Sequence, residues 1–168
     1  LGERFEIMRT SIKKWTVGTP IQAPLDALEA ILKRRPLAPD QVREIVVRME
    51  PRTSVVNDRE MPDVNIQHML AIMLVDRTAT FAAAHDKKRM QDPLILRHKA
   101  KVRLDPNSGQ PLLTLTLSDG SSITENPTAV RGTAENPMTR GEVVEKARDL
   151  MQPILGVSAT TRLIERLL

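Results

Sequence analysis

Two short polar segments carry side chains that could act on a small acidic molecule. Lys13 and Lys14 precede Trp15, and a lysine at such a place can bind a carboxylate as a point cation. Gln67 and His68 begin an otherwise apolar segment, where a histidine could act as an acid or a base near neutral pH. The residue types alone leave simpler interpretations open, namely a solvated lysine pair and a buried histidine with satisfied ring nitrogens.

The sequence contains no arrangement typical of a metal or cofactor site. His68, His85 and His98 are far apart and lack carboxylates at ligand spacing, so we expect no bound metal. His85 is followed by Asp86, but sequence neighbours do not by themselves form a catalytic dyad, and we interpret this pair as a solvated helix end. Neither a glycine-rich phosphate loop nor a nucleophile elbow is present. The sequence therefore favours either a cofactor-free reaction or a non-catalytic role.

The composition excludes several classes of protein. Among the 168 residues there is no cysteine, which rules out disulfides, thiolate metal ligands and a cysteine nucleophile. The longest apolar run, residues 71–75, is far too short to cross a bilayer, and the first residues do not resemble a signal peptide. We therefore expect a cytoplasmic protein that does not act at a membrane. Because the sequence begins with Leu1, we also expect that upstream sequence is missing.

The basic charge raises an alternative, a non-catalytic interaction module that binds nucleic acid. The net charge is +4 and the pI is near 9.8. The charges are interleaved, however, and the densest basic group, residues 33–35, falls at a predicted helix end, where cations suit the helix dipole. Only Phe5, Phe81 and Trp15 offer an aromatic face on which a base could stack. Nucleic acid is therefore the less favoured partner.

Hydrophobic periodicity predicts the elements that must position the two polar segments. Helices are expected to begin at Pro20, at Pro62, after Thr78 or Thr80, at Asp92-Pro93, after Thr139, where a capping box with Glu142 is expected, and after Ser158. Strands are expected at residues 5–15, 45–49, 102–104, 113–117 and 122–124, the last two joined by an Asp119-Gly120 turn. This order indicates an α+β fold, with a small antiparallel sheet covered by helices.

Four landmarks, taken in order, resemble the C-terminal half of the MmgE/PrpD family, which includes 2-methylcitrate dehydratase. They are residues 11–15 (SIKKW), residues 63–71 (DVNIQHMLA), Asp92-Pro93 before a helix, and residues 135–139 (ENPMT) before another. Each motif alone is short, and the resemblance lies in their order and spacing over nearly the whole chain.

The resemblance implies a cofactor-free enzyme that acts on small di- or tricarboxylic acids. Members of this family dehydrate 2-methylcitrate, decarboxylate cis-aconitate or epimerise iminodisuccinate. Their fold pairs a large all-helical domain with a smaller α+β lid. Because this chain lacks the helical domain, which supplies much of the catalytic chemistry, we expect the fragment alone to be inactive.

The resemblance also assigns roles to the two polar segments. Lys13 falls where family members place a lysine that meets a substrate carboxylate, and we expect Lys14 and Gln67 to assist in substrate binding. His68, the expected catalytic residue, replaces a tyrosine that lines the site in many members, which leaves the reaction open. Thr16 is a second departure, since the family often has proline there.

The resemblance also divides the chain into a lid domain at residues 1–136 and a helical return segment at residues 137–168. In the family, that segment packs on the helical domain. Without that domain its apolar stripes would lack a partner, so we expect these helices to pair with a second copy or to fold back on the sheet.

Overall fold

The residues from Trp15 to Val130 contain a mixed four-stranded sheet. The computed structural model describes residues 2–3, 5–50, 55–107 and 109–167. Contacts divide the chain into two compact units, one formed by Trp15–Val130 and the other by Leu1–Lys14 together with Arg131–Leu168. The predicted division at residue 136 stays a prediction.

Strand β1 (Val42–Arg48) connects the two parts of the sheet. It pairs in parallel with β2 (Val102–Asp105) and antiparallel with β3 (Leu113–Leu117), which in turn pairs antiparallel with β4 (Ser122–Glu125). The α+β prediction is confirmed, but the sheet is not antiparallel throughout. The long, mainly helical connection between β1 and β2 returns the chain to the same end of the sheet, so that β2 runs in the direction of β1.

The predicted hairpin between β3 and β4 is confirmed, and its turn has the expected chemistry. Gly120 has a φ of +85°, in the left-handed region that glycine adopts readily. The Asp119 carboxylate accepts a hydrogen bond from the Ser121 backbone N–H at 2.8 Å.

Helices α1 (Gln22–Arg34) and α2 (Ile66–Asp76) supply much of the core. A short 3-10 helix, Thr19–Ile21, precedes α1, as the proline at position 20 suggests. The apolar residues at helical spacing on α1, Leu25, Leu28 and Leu32, are buried, and α2 is buried nearly all round, from Ile66 to Leu74. Each fully buried leucine or isoleucine contributes roughly 1.5–3 kcal/mol relative to an exposed one, so this pair of helices anchors the unit.

Two shorter helices follow. Of the two candidate caps for the first, Thr78 and Thr80, the structure shows Thr80, and the predicted cap at Asp92 is confirmed. Thr80 caps α3 (Phe81–His85) by accepting from the Ala83 N–H at 3.1 Å. Asp92 caps α4 (Pro93–Lys99) by accepting from the Leu94 N–H at 2.8 Å. Each such cap satisfies one of the N–H groups that a helix start leaves unpaired.

The strand predicted at residues 5–15 is wrong. Glu6–Arg9 form a 3-10 helix, and the described residues of this stretch contain no strand. The alternation of apolar residues that suggested a strand does not face a core, since Ile7 is 79% exposed and Ile12 is 51% exposed. A period of two indicates a strand only where one face is buried.

Helix α5 (Arg140–Leu167) dominates the unit that contains both chain ends. The predicted capping box is confirmed: Glu142 N–H donates to Thr139 Oγ1 at 3.2 Å, and the Glu142 carboxylate accepts from Thr139 N–H at 2.8 Å. Gly156, at φ +74° and ψ 164°, interrupts the helix beyond Pro153, between the helix starts predicted after Thr139 and after Ser158. Within the described residues, no helix combines the length and apolarity needed to cross a membrane.

Candidate functional site

The segment that carries Lys13 and Lys14 is held by a close backbone contact. Ile12 N–H donates to Gly132 O at 2.7 Å, and Gly132 N–H donates to Asn136 O at 2.8 Å. Gly132 has a φ of +94°, and a Cβ atom there would lie 1.8 Å from Ile12 O. Only glycine fits this position, and its contact fixes the backbone immediately before Lys13.

The turn around Gly132 is itself tied to the start of α5. The Arg131 guanidinium binds both carboxylate oxygens of Glu142 and also donates to Asn136 Oδ1 at 2.5 Å. The hydrogen bond from Arg131 is the main reason that the pKa of Glu142 falls to about 2. Glu142 therefore stays ionised at any ordinary pH, and the bidentate pair fixes the turn that contacts the lysine segment.

Trp15, the next residue after the lysine pair, is anchored on α1. Its indole N–H donates to Asp26 Oδ1 at 2.9 Å. The buried Gln22 side chain accepts from Trp15 N–H at 3.2 Å and donates to Trp15 O at 2.8 Å. Sequence reasoning did not single out Gln22; the available signal was a polar residue in the first turn of a helix that packs on the core, where a buried polar group must find partners.

At the start of α2, a buried asparagine organises the backbone. Asn65 Oδ1 accepts from the His68 N–H at 2.9 Å, and its Nδ2 donates to Arg59 O at 2.6 Å. The Gln67 side chain accepts from Asp58 N–H at 3.0 Å and donates to Asn57 Oδ1 at 2.5 Å. Both ends of the Gln67 amide thus hold the preceding loop, and its predicted role in substrate binding stays a prediction.

The His68 side chain is fully buried on α2. Among the described residues, neither ring nitrogen has a hydrogen-bond partner. Burial lowers its pKa to about 4, the nearby Lys99 and Arg89 charges act in the same direction, and Asp86 opposes them. The imidazole is therefore neutral at physiological pH, with one nitrogen able to donate and the other able to accept.

A family model for the MmgE/PrpD C-terminal domain matches residues 15–168. The chain belongs to the MmgE/PrpD family. It is accordingly a domain of a dehydratase family. A comparison with curated proteins finds no match. The matched region includes Gln67 and His68, whereas Lys13 and Lys14 directly precede it.

This MmgE/PrpD domain contains a second buried histidine that sequence reasoning passed over. His98 is fully buried, and its Nε2 lies 3.7 Å from Asp40 Oδ1, which pairs with Arg97 at 2.7 Å. Burial lowers the pKa of His98, with smaller contributions from Lys101 and Arg97, while Asp40 raises it. The available signal was helical spacing, since His98 follows the buried Ile95 by three residues and shares its face of α4.

Two further expectations from the sequence concerned the His85-Asp86 pair and a metal site. His85 is exposed, its Nδ1 lies 2.8 Å from Phe81 O, and its ring stacks on Phe81, so the interpretation as a solvated helix end is confirmed. Across the described part of the chain, no three histidine or acidic side chains are grouped to hold a metal ion.

The four predicted site residues belong to two different units of the MmgE/PrpD chain. Lys13 and Lys14 lie in the unit with both chain ends, Lys13 exposed and Lys14 half-buried. Gln67 and His68 lie in Trp15–Val130 and are buried. The first pair offers positive charge to an anion, and the second offers a neutral imidazole on a rigid helix.

Proposed function

We propose that this chain is the C-terminal domain of a cofactor-free lyase or isomerase that acts on a small di- or tricarboxylic acid. The observation that carries the proposal is the family match over residues 15–168. The well-anchored lysine segment just before it supports a carboxylate substrate, because a cation on fixed backbone is suited to hold an anion.

The proposed chemistry begins with removal of a proton next to a carboxylate. That step places negative charge on the neighbouring carboxylate, and a positioned cation stabilises this charge as it develops. Lys13 would supply that cation. His68, neutral because its pKa is about 4, would orient the substrate or relay a proton and would not act as a fixed charge.

An activity screen of the whole polypeptide that carries this chain tests the proposal. We expect turnover of at least one hydroxy or unsaturated di- or tricarboxylic acid, followed by NMR, and no loss of rate with a metal chelator. Monocarboxylic acids of matched length are the control substrates and should react poorly. The 168-residue chain alone should show little or no turnover; robust turnover by it, or abolition of activity by the chelator, would contradict the proposal.

We further propose that α5 contributes to association with another polypeptide surface. Its exposed apolar side chains include Ile154 (82%), Val157 (66%) and Leu167 (72%), and exposed apolar groups of this kind favour association. For this chain alone, a second copy is the expected partner. The double variant Ile154→Glu, Val157→Glu should shift the chain from dimer to monomer in light scattering. The control variant Arg162→Glu should remain dimeric. A wild-type chain that is monomeric at all concentrations would contradict association through α5.

A further inference from the structure

Lys146 of α5 makes an unusual contact with the lysine segment. Its ammonium group donates to the carbonyl oxygen of Lys13 and lies 3.4 Å from that of Lys14. The side chain is half-buried, and this burial, together with the charge of Lys13, lowers the pKa of Lys146, while Asp149 raises it. A partly desolvated cation is thus directed at the backbone of the two residues expected to meet substrate.

The contact matters because a lysine side chain is flexible. An ammonium group on four methylene groups can be aimed only if its own backbone is fixed. The Ile12–Gly132 hydrogen bond restrains the segment just before Lys13. Lys146 restrains the Lys13 and Lys14 carbonyls through charge-assisted hydrogen bonds, which are stronger than neutral ones.

Lys146 also adds positive charge close to Lys13. Two nearby ammonium groups repel each other, and an anion bound beside them relieves that repulsion. The carbonyl contacts hold Lys146 in place so that its charge contributes to the potential without itself having to reach the anion.

We propose that Lys146 is a positioning residue that holds the Lys13–Lys14 backbone in the conformation that binds a substrate carboxylate. The inference rests on the proposed function, since it assumes that Lys13 meets the substrate. Without Lys146 the segment would be less ordered before binding, and the substrate would have to order it. That ordering cost weakens binding but leaves the bound complex nearly as reactive.

Steady-state kinetics of the whole polypeptide test the inference. Lys146→Met should raise KM for the carboxylic acid about tenfold and change kcat less than about twofold. Lys146→Arg, which keeps a donor and a charge, should restore most of the loss. Arg148→Met, on the same helix and paired with Glu145, is the control and should match wild type. A Lys146→Met enzyme with lower kcat and unchanged KM would indicate a purely structural role and overturn the inference.

A double-mutant cycle separates failure of this inference from failure of the proposed function. If Lys146 acts mainly through Lys13, the double variant Lys13→Met, Lys146→Met should lose clearly less than the sum of the two single losses. Additive effects would overturn the positioning role. If Lys13→Met impairs the enzyme but Lys146→Met does not, this inference fails and the proposed function stands. If Lys13→Met has no effect, the proposed role of Lys13 fails, and the inference about Lys146 fails with it.

Discussion

Lowering the pH from 7 to 4.5 is expected to reduce the free energy of unfolding by roughly 2–3 kcal/mol through His68 alone. The pKa of this buried imidazole is about 4 in the folded protein, below its ordinary value of 6.5. At a pH between about 4 and 6.5, His68 binds a proton in the unfolded chain but not in the folded protein. The stabilisation is therefore complete above pH 6.5 and is lost as the pH falls towards 4.

Variants at two histidines isolate this effect. His68→Met removes both the titrating group and two ring nitrogens that have no partner among the described residues, so the stability curve between pH 4.5 and 6.5 should become flatter. His98, whose pKa is also lowered, would retain part of the slope. His85→Gln, at an exposed position, is the matched control for loss of an imidazole, and the flattening should be larger for His68→Met than for this control.

Urea unfolding followed by tryptophan fluorescence is a suitable measurement. Trp15 is the only tryptophan, is 5% exposed, and belongs to the same unit as His68, so its signal reports the relevant unfolding event. A His68→Met variant that loses stability with acid as steeply as wild type would show that His68 is not held neutral by the fold.

In the whole polypeptide, Lys13→Met is expected to lower kcat/KM for the carboxylic acid substrate about 100-fold. Removing one partner of a charged, hydrogen-bonded pair typically costs about 2–5 kcal/mol, and about 2.7 kcal/mol corresponds to this factor. Both kcat and KM should change, because Lys13 is proposed to bind the carboxylate and to stabilise charge that develops on it. Lys87→Met, at an exposed lysine on another segment, is the control and should retain wild-type kinetics. Equal kcat/KM for Lys13→Met and wild type would remove Lys13 from the mechanism.

The elements that sequence predicted correctly are those specified by neighbouring residues. The caps at Thr80, Asp92 and Thr139 each involve a side chain and a backbone N–H within three residues. The Asp119-Gly120 turn is equally local. Such signals are readable because a short stretch of chain contains both partners of the interaction.

The errors arose where a distant segment decides the outcome. The direction of β2 depends on its partner β1, which lies more than fifty residues earlier in the sequence. The predicted strand at residues 5–15 had an alternating pattern but no buried face. Local pattern alone does not distinguish such a stretch from an edge strand.

The surroundings of the predicted site residues could not be derived from the sequence, and their roles stay predictions. The position of His68 on a buried helix was expected, but its lack of a hydrogen-bond partner among the described residues was not. Asn65, which caps α2 and bonds to Arg59 O, was hidden behind the more obvious Pro62 signal. The Lys146 contact joins residues 133 positions apart, a separation that no sequence period reports.

A crystal structure of the whole polypeptide with a substrate-like dicarboxylate bound would show directly whether Lys13 meets the substrate. We expect one carboxylate within hydrogen-bond distance, about 2.7–3.2 Å, of Lys13 Nζ, with Lys146 still bound to the Lys13 carbonyl. A dicarboxylate bound with full occupancy and no contact to Lys13 would exclude this lysine from substrate binding.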